Sequence, residues 1–536
     1  MLKRMLALGL AAGLIAGIII GCGSGSNKAP AIPTGSTFLF VKDTPICDVL
    51  TFRTLVTGLT LHRADDNSNR ALLGFNSAFK VNFASLRDNP SILALASLPE
   101  GTYDQATVTF TSPTIVLFNN TRNPPVETVT GTIAGGGTLQ FPIEPNLVVS
   151  TTQVSALMWD FDLLHTIQVD ASGNVTGALT PTMTFSTLTA GANQGFGEMD
   201  DLIGFVNRVN ANPIAGTPFV GTFNMQFFSN SVSTAGGPSV AVDLLGSASS
   251  AFPTPLCIGP PPLGSGEYCT TEPLDQLLPD TLTEVDGYVS SSGDLIANTV
   301  EAEDLENPDN NQLALIGIVT AATTDPSGDV TSFEFYLREQ EPDDSATLAL
   351  DGIATVNVSS VGPPCTPTRL PGTTCSTVYD TSARSANFAD LSFGPNTIWP
   401  GQELMVSGVF TKTPGSSSSA STVAADKIVL KLQTHQGSFV SLLHAASDDE
   451  TGAFRFNCCN DAFNGAPLLV FTNGPGGQTM FAQTQFVNVR GLSELIPTSN
   501  LLIKGLLFYE NQATAVNGVA VPAGTFVLLA KEVHQL

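Results

Sequence analysis

Leu98-Pro99-Glu100-Gly101-Thr102-Tyr103 runs almost directly into Ala106-Thr107-Val108-Thr109-Phe110-Thr111, and this stretch decides the fold class. Pro99 and Gly101 supply a turn, and Tyr103 begins the return into a sheet. Ala106, Val108 and Phe110 then alternate with three threonines, the period-two pattern of a strand with one buried face. The same reading extends outward in both directions. Phe38 to Val41 is short and apolar. In Phe52 to His62, Leu55, Leu59 and Leu61 share one face with Thr57, while Thr54, Thr60 and His62 take the other. Thr128 to Ile133, Thr138 to Ile143 and Ile167 to Val169 follow as strands, the last closed by the turn Asp170-Ala171-Ser172-Gly173-Asn174. Leu157 to Leu164 fits either a strand or one helical turn. The chain reads as all-β.

Several of these pieces occur together in a recognisable order. Asp43-Thr44-Pro45-Ile46-Cys47-Asp48, the strand Val56-Thr57-Gly58-Leu59-Thr60-Leu61-His62, Phe83-Ala84-Ser85-Leu86, the LPEGTY turn and Leu179-Thr180-Pro181 resemble a domain of bacterial lipoproteins, domain of unknown function 4382, over about residues 36 to 187. The resemblance implies a β-sandwich on a cell surface, of transthyretin-like or immunoglobulin-like kind. It implies no activity and carries no functional residues over.

Beyond residue 191 the chain repeats itself. Gly204-Phe205-Val206, Gly317-Ile318-Val319 and Gly437-Ser438-Phe439-Val440 each open a unit. Each unit closes with an apolar-x-Gly strand, Val285-Asp286-Gly287, Val406-Ser407-Gly408 or Ile503-Lys504-Gly505. An alanine motif follows, Ala297-x-x-Val300, Ala425-x-x-Ile428 or Ala530-x-x-Val533. Between strand and motif lies a loop of variable length, with GSSSSAS in the second unit and NQATAVNG in the third. No polar residue is seen to recur at equivalent places in all three units. The pattern resembles a second exported module, domain of unknown function 5666, in degenerate form. Small closed barrels of the OB type are expected, because a strand glycine marks a tight bend or bulge in such barrels; three further sandwiches are the alternative. The expected layout is a sandwich over 36–190 and β repeats over 191–308, 309–434 and 435–536.

Ahead of the sandwich, Lys3 and Arg4 precede an apolar run over residues 5 to 20 that ends in Ile19-Ile20-Gly21-Cys22. The run is shorter than the roughly 20 residues a membrane-spanning helix needs. Its end resembles a lipobox. Residues 1–21 are read as a lipoprotein signal peptide, Cys22 as the lipidated residue, and 22–35 as a flexible tether. Two or three acyl chains hold a protein firmly at a membrane where one does not. The expected location is the cell envelope, at the outer membrane because residue 23 is not Asp.

The 536 residues exceed what one core supports, and the net charge of −26 repels phosphate backbones, so nucleic acid is excluded as a partner. Only 13% of residues are charged, which is not the composition of acidic disorder. Cys257 and Cys269 bracket one Pro/Gly loop and Cys365 and Cys375 another, so each pair is expected to form a local disulfide in an oxidising compartment. Metal binding is the competing reading, but no CxxC pair and no nearby histidine supports it. Cys458 and Cys459 are left either to a vicinal disulfide or to pairing of one of them with Cys47.

The sequence contains no HExxH, GxSxG, GxxxxGK[ST] or EF-hand loop. His62, His165, His435, His444 and His534 share no metal-ligand spacing. Acidic stretches at Glu198-Met199-Asp200-Asp201, Glu301 to Glu306, Glu341 to Asp344 and Asp448-Asp449-Glu450 offer oxygen ligands suited to Ca²⁺, yet no ligand spacing recurs, so solvated loops are the expected role. No cofactor and no catalytic residue is assigned. With Trp159 and Trp399 the only tryptophans, a broad aromatic sugar platform is not expected. A non-enzymatic binding or scaffold lipoprotein is the primary reading, its partner an envelope protein or a glycan. An exported hydrolase and a subunit of an envelope transport or adhesion assembly are the alternatives.

Overall fold

The computed structural model describes residues 33–536 except 45, 47, 74–78, 87–90, 112, 134–135, 171–173, 191–194, 214–215, 228–238, 247–252, 259–271, 280, 303–311, 342–351, 366–373, 382–390, 412–421, 459–461, 464, 475–483 and 498. Cys22, Cys47, Cys269 and Cys459 therefore lie outside the described residues, as do the signal and nearly all of the tether.

Residues 34–188 build two facing halves of one eleven-stranded sheet, joined where Ile143 pairs with Phe185. One runs Ser91–Pro99, Thr34–Thr44, Ser155–Asp162, Thr182–Leu188; the other runs Thr138–Val149, Gly101–Phe110, Val49–Arg63, Thr114–Phe118, Val126–Thr130. Between them Phe83 stacks on Phe161 at 4.1 Å and Trp159 on Phe185 at 5.7 Å. Ala106, Val108 and Phe110 face this core, as the alternation requires, and Tyr103 joins them because the pairing with Val49–Arg63 slips by one residue at Asp104. The Tyr103 hydroxyl donates to the Pro99 carbonyl at 2.8 Å, locking the LPEGTY turn that carries the chain from one half to the other. Gly101 makes room for Arg63, since a Cβ there would meet the Arg63 Nε at 2.4 Å. Across that gap the guanidinium donates to the Glu100 carbonyl.

Leu55 does not share the buried face of Leu59 and Leu61. The pairing with Gly101–Phe110 slips between Val56 and Gly58, and such a bulge turns every preceding side chain over. Val56 takes the core position instead. The expected strand Thr128 to Ile133 is broken at Gly131, and Leu157 to Leu164 is both things at once: the strand ends at Asp162, whose side chain caps a single helical turn, Leu163–Thr166.

Each of the three following units is a closed five-stranded barrel with a short sixth strand. In the first, Ser239–Leu245, Phe219–Phe227, Gly195–Asn210, Leu282–Ser290 and Leu295–Ala302 pair in that order, and the outer two close the ring in parallel. The second repeats this with Ile353–Asn357, Val330–Glu341, Gln312–Thr324, Glu403–Thr411 and Thr422–Leu430. The third does so with Leu468–Thr472, Gly452–Cys458, Leu432–Ala445, Asn500–Glu510 and Thr525–Gln535. Of the two architectures open from the sequence, the structure has barrels of the OB type. The third barrel opens at Leu432, ahead of the expected boundary at 435.

The repeat motifs now acquire a cause. Gly287, Gly408 and Gly505 sit at bulges, opposite Ala297, Ala425 and Ala530 on the last strand. A Cβ on any of them would come within 2.1–2.3 Å of the carbonyl oxygen before that alanine. The opener glycines Gly204, Gly317 and Gly437 are held in the same way against the second strand.

A polar residue does recur, contrary to the sequence reading. Along one edge of the last strand, pairing passes from the third strand in chain order to the short additional strand, Leu256–Ile258, Val378–Thr381 or Gln485–Val487. At that gap Thr254, Thr377 and Thr484 donate to the carbonyls of Ala297, Ala425 and Ala530, at 2.6, 2.9 and 2.8 Å. Their hydroxyls accept from the amides of Leu245, Ser359 and Asn473. One hydroxyl thus fills the interruption in the ladder.

The four bodies share cores. Phe38 and Phe40 point away from the sandwich interior into the apolar cluster of the first barrel, while Leu39 and Val41 point inward. A strand buried on both faces reads as a continuous apolar run. Leu50, Val116 and Phe118 join the core of the third barrel, where the Asp48 carboxylate accepts from the Ala462 amide. The second and third barrels meet in a common cluster, with Trp399 stacked on Tyr509 at 4.1 Å. Lys431 pairs with Glu284 and Lys531 with Asp286, linking the first barrel to the end of the second and to the third.

Candidate functional site

A concavity of about 310 Å³ opens on the outer face of the third barrel. Its floor is Leu469 on the third strand and Phe526 at the start of the last, and Arg455 on the second strand lies directly opposite Leu469 in register. Leu443, at the exposed end of the opening strand, forms one side. The other side is a hairpin, Thr514–Val516 with Val519–Val521, inserted in the variable loop between the fourth and fifth strands. Asn517 and Gly518 form its two-residue turn with φ of 48° and 76°, the left-handed pair that tight hairpins require. The sequence AVNGVAV carries this hairpin within the stretch expected as a variable loop.

The wall is firmly held. Val516 and Val521 enter the core shared by the second and third barrels, and Asn511 donates to the Asn396 carbonyl of the second. Phe526 packs on Phe463 and Tyr509, and so joins the stack that ends at Trp399. Among the described residues no carboxylate pairs with Arg455, although Arg63, Arg70, Arg122, Arg338 and Arg490 each hold one. Glu510, where the fourth strand ends, is buried, and desolvation raises its carboxyl to about 7.

The sequence candidates lie elsewhere. His62 contacts Asp104 at 2.7 Å and Asn67 at 2.9 Å, and these partners raise its pKa. His165 pairs with Asp162 in the helical turn, His435 is buried against Gln433 and Phe463, and His534 meets Asn488. His444 lies on the opening strand of the third barrel. Asp448 accepts from the Thr451 amide and hydroxyl, which lower its pKa and close its own loop, and Asp449 accepts from Ser493, fastening that loop to the turn at Leu492–Glu494. The other acidic stretches fall largely outside the described residues. Trp159 is wholly buried, and Trp399 is spent on the barrel junction.

Cys365 and Cys375 form a disulfide beside Asp426, their Cα atoms 4.9 Å apart. Those three are the one potential ligand cluster among the described residues, and two of its sulfurs are engaged with each other. Cys257 is also disulfide-bonded. Cys458 is a free, buried thiol whose pKa burial pushes well up, which rules out both a vicinal bond to Cys459 and a bond from Cys458 to Cys47. No described helix is long and apolar enough to cross a membrane.

No curated protein matches the chain. Over residues 34–181, the N-terminal sandwich is matched by the family model described as Domain of unknown function (DUF4382).

Proposed function

We propose that the protein is a lipid-anchored envelope protein, held by acyl chains on Cys22 at the outer membrane, that binds a partner without transforming it. One observation carries this reading. The residues common to the three barrels, the bulge glycines, facing alanines and seam threonines, all serve the framework, whereas the concavity is walled by the loop that differs between units. Recognition proteins keep a scaffold constant and vary its loops. The resemblance of the barrels to domain of unknown function 5666, an exported module, agrees with an envelope location. Shared cores between neighbouring bodies suit a rigid support more than a set of mobile enzyme domains.

The test is a panel of esterase, glycosidase, peptidase and phosphatase substrates offered to the full chain. No turnover above background is expected. Turnover abolished by a single substitution of a Glu, Asp or His would replace the binding reading with that of an exported hydrolase.

A further inference from the structure

We propose that the concavity of the third barrel binds a small amphipathic carboxylate, its head on Arg455 and its aliphatic body against Leu443, Leu469, Val519 and Phe526. The inference rests on the binding reading above and names the ligand class. A volume of about 310 Å³ lies at the lower end of small-molecule pockets, which are mostly apolar with a few placed polar groups. Here, among the described lining residues, the apolar side chains leave Arg455 as the only charged one.

The charge decides the head group. On a chain of net charge −26, a cation that holds no described carboxylate is set against the prevailing field, and a guanidinium matches a planar carboxylate with two parallel hydrogen bonds. The lining decides the body. An oligonucleotide needs more than one cation, and a glycan needs several hydroxyl partners and a broad aromatic face, whereas this lining offers Thr525 and Phe526.

Location supports a binding face and leaves the ligand class to the lining. OB barrels bind oligonucleotides and oligosaccharides on the second and third strands, between the first and last hairpin loops, and Arg455, Leu469 and the inserted hairpin occupy those places. The first barrel has only a tight turn at Ser290–Asp294 in place of that hairpin. Because the wall is anchored in the second barrel, the site is formed before a ligand arrives, which lowers the cost of binding.

Octanoate, with 1-octanol as its neutral counterpart, is titrated calorimetrically into the full chain carrying Cys22→Ala, alone and with Arg455→Gln or Ala520→Trp. Ala520 is exposed on the pocket wall, so the tryptophan fills the space without entering a core. Octanoate is expected to bind at least about tenfold more tightly than octanol, the size of a charge-assisted hydrogen bond. Arg455→Gln should erase that preference, and Ala520→Trp should remove binding of both. No octanoate binding, binding indifferent to both variants, or octanol binding equal to octanoate overturns the proposal. The substrate panel is read separately: failure here with no turnover leaves a binding protein of another ligand class, whereas turnover removes the binding reading itself.

Discussion

Thr484 shows how much one hydroxyl does in this chain. It accepts from the Asn473 amide and donates to the Ala530 carbonyl where the barrel seam changes strands. Thr484→Val keeps the shape and leaves both backbone groups buried and unpaired, a loss of about 1–3 kcal/mol. Denaturant unfolding is expected to show that loss, and Thr484→Ser to recover most of it. The three threonines escaped the sequence reading because they stand 43, 48 and 46 residues before the alanines they serve, with unequal loops between. Glu510 has the opposite character. Its folded pKa, about 7, lies above the ordinary value of 4.5, so the folded state holds its proton more tightly than the unfolded one. The resulting stability is complete below about pH 4.5 and is lost as pH rises through about 7. Glu510→Gln should flatten that fall, raising stability at pH 8 relative to the parent by on the order of 1–2 kcal/mol; pH-resolved thermal unfolding measures it.

At the scale of elements, the bulge is the unit of design. Gly505 faces Ala530 so closely that an added Cβ would lie 2.1 Å from the Leu529 oxygen. Gly505→Ala is expected to cost about 3 kcal/mol, the upper range for overpacking. Gly518→Ala, in open space but at φ of 76°, should cost only about 1–2 kcal/mol, and chemical denaturation of the two variants separates close approach from backbone strain. The Cys365–Cys375 bridge closes a separation of 10 residues, worth about 3 kcal/mol in the chain-entropy view. Mild reduction should lower the denaturation midpoint while Cys458 stays unreactive to thiol reagents until the third barrel unfolds. The apolar-x-Gly and Ala-x-x-Val motifs were legible because backbone crowding imposes them at fixed spacing. The face of Leu55 was not, since a one-residue bulge at Thr57 leaves no composition signal. Nor was the candidate pocket, which needs Arg455, Leu469 and Val519 brought together from three separate stretches.

The whole molecule is four β bodies that share apolar clusters. Phe38 and Phe40 commit the sandwich to the first barrel, Leu50 and Phe118 to the third, and Trp399 on Tyr509 joins the second to the third. The all-β class followed from strand periodicity, and the sandwich from the resemblance to domain of unknown function 4382. Mutual packing did not, because surfaces such as Phe38 to Val41 look in sequence like any buried strand. We propose that this rigid body, held by acyl chains on Cys22, works as a tethered binding protein. Metabolic labelling with a tagged palmitate, followed by membrane fractionation of the parent and of Cys22→Ala, tests that claim most directly. The account predicts label on the parent at Cys22, none on the variant, and release of the variant into the soluble fraction; an unlabelled parent, or a variant still wholly in the membrane fraction, contradicts it.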